Sequence, residues 1–151
     1  TFSLNLGFNY KALDFSAMFQ GVGKVDGFLG RDIIEPLGSQ TAMEEHYYDS
    51  FDPSNPTTGK YYPRMTMANR LNYANMSHWV QDASYLRLKN LQVGYTFKFG
   101  EKSPVERTRI YFSGSNLFTL TKYRVFDPEN GLNTTSFPNS RVYSIGANVT
   151  F

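Results

Sequence analysis

Apolar and polar residues alternate along five stretches of the chain, and strict alternation places the two sets on opposite faces of a β-strand. The clearest stretch is 141–151, whose apolar positions interleave with small or polar residues. Comparable alternation covers 1–9, 13–20, 84–99 and 109–117. The pattern therefore predicts five strands and an all-β, antiparallel fold, because neighbouring strands joined by tight turns form hairpins.

The predicted connections alternate in length. Short turns at 9–11 and 100–107 follow the first and third strands, whereas long polar loops at about 21–76 and 120–139 follow the second and fourth. Alternating short turns and long loops are typical of outer-membrane barrels, whose long loops are extracellular. Within 84–99 the alternation slips by one residue at Lys89-Asn90, which predicts a β-bulge. A short helix is predicted at 40–47.

The alternation alone leaves two architectures open. A strand of about 9–11 residues with one apolar face crosses a bilayer in a β-barrel, but a soluble β-sandwich strand has the same pattern. The chain stops in phase on the aromatic Phe151, and this favours the membrane because soluble termini tend to fray. The stretch resembles the C-terminal assembly signal of bacterial outer-membrane barrels, and that resemblance assigns the signal to Tyr143, Ile145, Ala147, Val149 and Phe151.

Five strands are too few for a barrel, since the smallest close with about 8. An open sheet in lipid would leave the amides of its edge strands unpaired. The sequence also starts within a strand, with no initiator Met and no signal peptide. We therefore expect a fragment or a processed piece, with 1–151 forming the C-terminal segment of a barrel whose remainder is its partner.

The period of two also predicts which side chains face lipid. The lipid-facing set is Phe2, Leu4, Leu6, Phe8, Leu13, Phe15, Phe19, Val93, Tyr95, Phe97, Ile145 and Val149. The set facing the barrel interior is Asn5, Ser16, Gln20, Gln92, Thr96, Ser144 and Asn148. A slip of one residue in any strand would invert these assignments.

Composition excludes several functions. The net charge is only +2, from 15 basic and 13 acidic residues that form no runs, so nucleic acid is not an expected partner. Cysteine is absent, which removes disulfides and thiolate metal sites. No stretch approaches the roughly 18 apolar residues of a transmembrane helix. Aromatic residues reach 17%, enough to supply both strands and interfacial girdles.

Motifs for catalysis or cofactor binding are missing. Gly21-Val-Gly-Lys24 lacks the further residues of a P-loop, because positions 18 and 25 are Met and Val. His46 and His78 are too few for a metal cluster, and no nucleophile elbow is present. We therefore predict no enzymatic activity, no cofactor and no metal.

The most specific stretch is Gln81-Asp-Ala-Ser-Tyr-Leu-Arg-Leu-Lys-Asn-Leu91, followed by Gly94-Tyr95. It resembles a signature near the C-terminus of the barrel in SusC/RagA-type TonB-dependent outer-membrane transporters. Further matches follow the family's order: Asn55-Pro, Tyr62-Pro-Arg64, Ser115-Asn-Leu-Phe-Thr-Leu-Thr-Lys-Tyr123, Asp127-Pro-Glu129 and Phe137-Pro-Asn-Ser-Arg141.

The resemblance implies a location in the bacterial outer membrane and the last five or so strands of a barrel of about 22. It also implies an upstream plug domain, a segment that binds TonB, and a SusD-like surface lipoprotein that covers the mouth. The cargo would be an oligosaccharide or a peptide, imported without covalent chemistry.

The long loops carry the candidate contacts to partner or cargo, which are Tyr47, Tyr48, Tyr61, Tyr62 and Trp79. Tyrosine offers rigid apolar area and a hydroxyl, and it is enriched at interfaces. We expect partner contact ahead of cargo contact, and an alternative is that these side chains only pack the loop on itself. Two other functions remain open at this point: a soluble β-sandwich carbohydrate-binding module and an enzyme on a β scaffold.

Overall fold

The computed structural model describes residues 1–30, 34–35, 48–56, 61–64, 71–100, 103–124, 127–130 and 137–151. The chain forms two compact units. The sheet unit contains the described residues of 1–25, 82–131 and 136–151, and the loop unit contains those of 26–81. Among the described residues, no helix is long and apolar enough to cross a membrane.

The sheet unit is built on one five-stranded antiparallel sheet, which confirms the predicted fold class. Its strands are β1 (Phe2–Tyr10), β2 (Leu13–Val22), β5 (Tyr85–Lys98), β6 (Arg107–Thr121) and β7 (Val142–Thr150). Their spatial order is β1-β2-β5-β6-β7, so strands that follow one another in the sheet unit pair with each other. The short connections lie at one end of the sheet and the long ones at the other.

Two short strands were not predicted. Strands β3 (Asp26–Phe28) and β4 (Val80–Asp82) pair as a separate two-stranded sheet, with β3 inside the segment assigned to the first long loop and β4 just after it. Three residues are too few to show a period of two, so the alternation could not reveal them. Short 3₁₀ helices occupy Leu71–Tyr73, Ser77–Trp79 and Pro128–Asn130. The helix predicted at 40–47 lies outside the described residues.

The first turn falls two residues later than predicted. Asn9 remains in β1, Tyr10 pairs with Leu13, and the reversal uses Lys11 and Ala12. Lys11 takes the left-handed conformation, with φ of 55°. Two-residue hairpin loops commonly need a positive φ, and here a lysine supplies it rather than the asparagine or glycine that usually does.

The predicted bulge is confirmed, and it explains why β6 is longer than expected. The pairing of β5 with β6 shifts register between Leu88 and Asn90, leaving Lys89 off the ladder. On β6 the register resumes at Phe118, and Asn116 there has φ of 54°. The prediction that this strand ends at Leu117 is therefore wrong, because the irregularity breaks the alternation without ending the pairing.

The register places the apolar positions of all five strands on one face. One cross-strand row, for example, joins Phe8, Phe15, Val93, Phe112 and Ile145. The neighbouring row, Gly7, Ser16, Gln92, Ser113 and Ser144, lies on the opposite face. The sheet therefore has an apolar face and a polar face, as the alternation predicted.

Much of the apolar face is exposed among the described residues. Phe2, Leu4, Leu6 and Phe8 are about half exposed, and Ile145 is 81% exposed. Exposed contiguous apolar surface of this extent marks contact with a membrane or another protein. Contact with lipid itself remains a prediction.

On the polar face, two long side chains lie across glycines of the neighbouring strands. Asp14, Gly94, Tyr111 and Gly146 form one cross-strand row, and Arg109 reaches over Gly94 to Asp14, with an Nη2–Oδ2 distance of 2.5 Å. A Cβ at Gly94 would lie 2.5 Å from Arg109, and one at Gly146 would lie 2.5 Å from the Tyr111 ring. The two glycines therefore let polar side chains lie flat on this face.

Candidate functional site

A cluster of charged side chains lies on the polar face, at the end of the sheet with the long connections. Its centre is Arg87 on β5, which pairs with Gln20 and Thr119 in the register and is 3% exposed. Its guanidinium donates to Thr119 Oγ1 at 2.8 Å, to Glu129 Oε2 at 2.6 Å and to the carboxylate of Asp127.

The same cluster holds both described flanks of the β6–β7 connection. Lys89, the bulged residue, places its Nζ 2.5 Å from Glu129 Oε1. From the far side of the connection, the backbone N–H of Asn139 donates to Asp127 Oδ2 at 3.0 Å and its side-chain amide donates to Glu129 Oε2 at 2.7 Å. We call these residues the Arg87 cluster: Arg87, Lys89, Thr119, Asp127, Glu129 and Asn139.

The two cations of the Arg87 cluster, Arg87 and Lys89, are paired with its two carboxylates, so the cluster carries no net charge. Burial by itself raises the pKa of Asp127, but hydrogen bonds from Arg87 and from the backbone N–H groups of Glu129 and Asn139 outweigh it, so the pKa lies below its ordinary value. The carboxylate is therefore charged at neutral pH. Removing one partner of a buried pair costs about 3–5 kcal/mol, because the other charge is left uncompensated.

A second cluster, of aromatic side chains, forms in the loop unit. Tyr61 stacks on His78 with ring centroids 5.1 Å apart and meets Tyr62 and Trp79 edge-on at 5.1 and 5.9 Å. Gln81 Nε2 donates to Tyr61 Oη at 2.6 Å. Trp79 Nε1 donates to the backbone carbonyl oxygen of Asn72 at 3.3 Å. A groove of about 310 Å³ opens beside it, lined by Phe51, Tyr61, Tyr62, Pro63, Asn72, Met76, His78 and Trp79.

The predicted contact residues differ in their exposure. Tyr48 is 78% exposed and Tyr61 is partly exposed, whereas Tyr62 and Trp79 are 5% and 1% exposed. Tyr47 lies outside the described residues. Burial assigns Tyr62 and Trp79 to packing within the loop unit, which was the alternative considered for them, and leaves surface for direct contact at Tyr48 and Tyr61.

The residues of the predicted assembly signal lie on one face, as their alternation requires. Tyr143, Ile145, Ala147 and Val149 of β7 pair with Gly114, Phe112, Ile110 and Thr108 of β6. Tyr143 also packs against Phe112, with ring centroids 6.3 Å apart. Phe151, which follows β7, is 86% exposed.

Neither cluster has the composition of a catalytic centre. In the part of the chain that the structure describes, no three His, Asp or Glu side chains are grouped so that they could hold a metal ion. The carboxylates of the Arg87 cluster are engaged by cations and amides, and the loop-unit groove is mainly aromatic. The Arg87 cluster is suited to holding the β6–β7 connection in place. The groove of the loop unit is suited to binding another surface.

Sequence reasoning missed the Arg87 cluster as a unit. Arg87, Lys89, Asp127, Glu129 and Asn139 all lie in the stretches that carry the family resemblance, yet nothing in the sequence pairs them. Arg87 and Asp127 are 40 residues apart. The available signal was a basic pair in one signature stretch and an acidic pair in another.

Comparison with known proteins gives a consistent result. No protein-family model matches the chain. A TonB-dependent receptor of Formosa agariphila is 32% identical over the whole chain, and a second from the same organism is 32% identical over 95% of it. The TonB-dependent receptor SusC of Bacteroides thetaiotaomicron is 28% identical over 49% of the chain.

Solved structures agree with the curated relatives. The structure of the RagAB peptide transporter matches 97% of the chain with a TM-score of 0.73 and 27% identity. The RagAB peptide importer in its open-open state matches 99% with a TM-score of 0.72 and 26% identity. The chain spans 16% of the length of each Formosa relative and 17% of each of these two transporter chains.

These relatives are receptors and transporters, and none is a soluble carbohydrate-binding module, so the β-sandwich alternative is wrong. The curated matches and the structural matches instead agree with the sequence signature. The chain belongs to the SusC/RagA-type TonB-dependent transporters, and it corresponds to the C-terminal part of their β-barrel.

Proposed function

We propose that this chain is part of a bacterial outer-membrane transporter that imports oligosaccharides or peptides in a TonB-dependent manner. The observation that carries the proposal is the five-stranded sheet with one apolar and one polar face, matched at a TM-score of 0.73 to a peptide transporter. The apolar face contacts lipid, and the polar face lines the barrel interior. The mechanism is import without covalent chemistry, so the protein is not an enzyme.

The partners follow from the same family. A SusD-like surface lipoprotein covers the extracellular mouth, and TonB acts through parts of the protein upstream of this chain. In this arrangement the short turns are periplasmic and the long connections are extracellular. The loop unit, with Tyr48 exposed and Tyr61 partly exposed, is then available to the lipoprotein ahead of cargo.

One purification tests both the function and the role of the loop. Full-length protein isolated from outer membranes is expected to retain a surface lipoprotein, together with bound oligomers that mass spectrometry identifies as glycan or peptide. A variant shortened across positions 41–58 is expected to lose most of the lipoprotein, because that stretch is part of the proposed contact surface. A Leu71→Ala variant, altered at a 73% exposed residue of the same unit, should retain it.

Two results would count against the proposal. Absence of both lipoprotein and oligomer from folded protein would contradict the transport function. Undiminished lipoprotein on the shortened variant, with the barrel still folded, would remove support for the loop contact and would leave the transport function standing.

A further inference from the structure

The Arg87 cluster determines on which side of the sheet the β6–β7 connection runs. Arg87 pairs with Gln20 and Thr119 in the register, and this row belongs to the polar face. Any group that reaches the guanidinium must therefore lie over that face. Asp127 and Glu129 both do so, although the connection starts beyond the end of β6, after Thr121.

Both described ends of the connection are fixed there. Pro128, between the two acids, is buried, and Asn130 donates to the carbonyl oxygen of Phe137 at 2.8 Å. Asn139 closes the far end through its bonds to Asp127 and Glu129. The described residues just before 131 and just after 136 are thus hydrogen-bonded to each other, and those before 131 form ion pairs with side chains of β5.

The burial of these charges distinguishes the Arg87 cluster from a surface ion pair. Arg87 and Asp127 have side chains 3% and 6% exposed, and Glu129 is 22% exposed. Exposed ion pairs contribute little, whereas a buried and fully hydrogen-bonded charge strongly resists the loss of its partner. The segment should therefore open rarely as long as the cluster is complete.

We propose that residues Asp127–Asn130 and Phe137–Asn139, which the Arg87 cluster seats on the polar face, line the interior wall of the barrel mouth, where cargo passes. This inference rests on the proposed function, because the polar face is interior only if the sheet belongs to a barrel. It gives this connection a different role from an outward-projecting loop. Among the described residues of this connection, Phe137, 91% exposed, is the largest exposed apolar side chain.

The test measures access to position 137 in full-length protein on intact cells. Because the chain contains no cysteine, Phe137→Cys introduces a single thiol into it. We compare the labelling rate of a small membrane-impermeant maleimide with that of a maleimide attached to a bulky polymer. In the otherwise unaltered protein the small reagent should react readily and the polymer reagent at least about tenfold more slowly, since the barrel wall surrounds the site.

Breaking the cluster should release the segment. Arg87→Met removes the hydrogen bonds to Thr119, Asp127 and Glu129, so it is expected to raise the rate with the polymer reagent at least about tenfold, the change that loss of a single charge-assisted hydrogen bond would already produce in an opening equilibrium. Arg109→Met is the matched control, because it breaks a different ion pair of the polar face, that with Asp14, and should leave the rate unchanged. If Arg87→Met prevents folding, the pair Asp127→Asn and Glu129→Gln removes both ion pairs of Arg87 from the loop side.

Equal rates for the two reagents before any cluster mutation would overturn the proposal, because the segment would then project from the barrel. An equal response to Arg109→Met would also overturn it, by showing that general loosening of the barrel is sufficient. Neither measurement uses cargo uptake, so a failure of the proposed transport function is detected separately.

Discussion

Replacing Phe151 with Asp in the full-length protein is expected to reduce the folded barrel in the outer membrane several-fold. Phe151 follows the alternating apolar positions of β7 and is 86% exposed, so it is available to an assembly factor or to lipid. A carboxylate at this position removes the aromatic group of the predicted assembly signal. The measurement is the amount of heat-modifiable protein in outer-membrane fractions.

Asn148→Asp is the matched control for this prediction. It adds the same charge within β7, three residues before Phe151, but Asn148 pairs with Arg109 on the polar face. Its yield should therefore stay close to that of the unaltered protein. A normal amount of folded protein with Phe151→Asp would show that Phe151 is dispensable for assembly. The Phe151→Asp protein that does fold should have unchanged cargo specificity.

A positive charge in the middle of the apolar face should strongly destabilise the barrel. Val93 lies near the centre of β5, between Phe15 and Phe112 in the register. Val93→Arg is expected to destabilise the barrel by about 2–4 kcal/mol, the cost of arginine near the bilayer midplane. Unfolding by denaturant in lipid vesicles measures the change.

The adjacent residue provides the comparison. Gln92 occupies the same depth but pairs with Ser16 and Ser113 on the polar face, so Gln92→Arg should cost much less. Similar losses from the two substitutions would mean that the two faces do not differ in environment. That result would contradict the assignment of lipid to one face and interior to the other.

Strand positions and faces could be predicted because the alternation is a local property. Each strand of the main sheet has enough residues to show a period of two, and the slip at Lys89-Asn90 marks the bulge directly. The extension of β6 to Thr121 could not be read in the same way. Asn116 and Leu117 break the pattern there, and continued pairing across such an interruption depends on the neighbouring strand.

The sites were harder to predict because they depend on contacts between distant parts of the chain. Arg87 contacts Thr119 and the acids of the β6–β7 connection only after β5 and β6 have paired. In the loop unit, the sequence marked Tyr61, Tyr62 and Trp79 as equivalent aromatic groups. Tertiary packing separates them, since it buries Trp79 and leaves part of Tyr61 exposed.

The central claim is that the sheet is a membrane-spanning wall with lipid on one face and water on the other. The most direct test is a scan of single cysteines along β5 in the folded full-length protein, each carrying a spin label probed with a lipid-soluble and a water-soluble relaxation agent. The account predicts lipid access at Leu86, Leu91, Val93 and Tyr95, and water access at Asn90, Gln92 and Thr96, with the phase changing at Lys89. Labels at both sets with equal access to water, or a first set shielded from both agents as in a closed protein core, would contradict it.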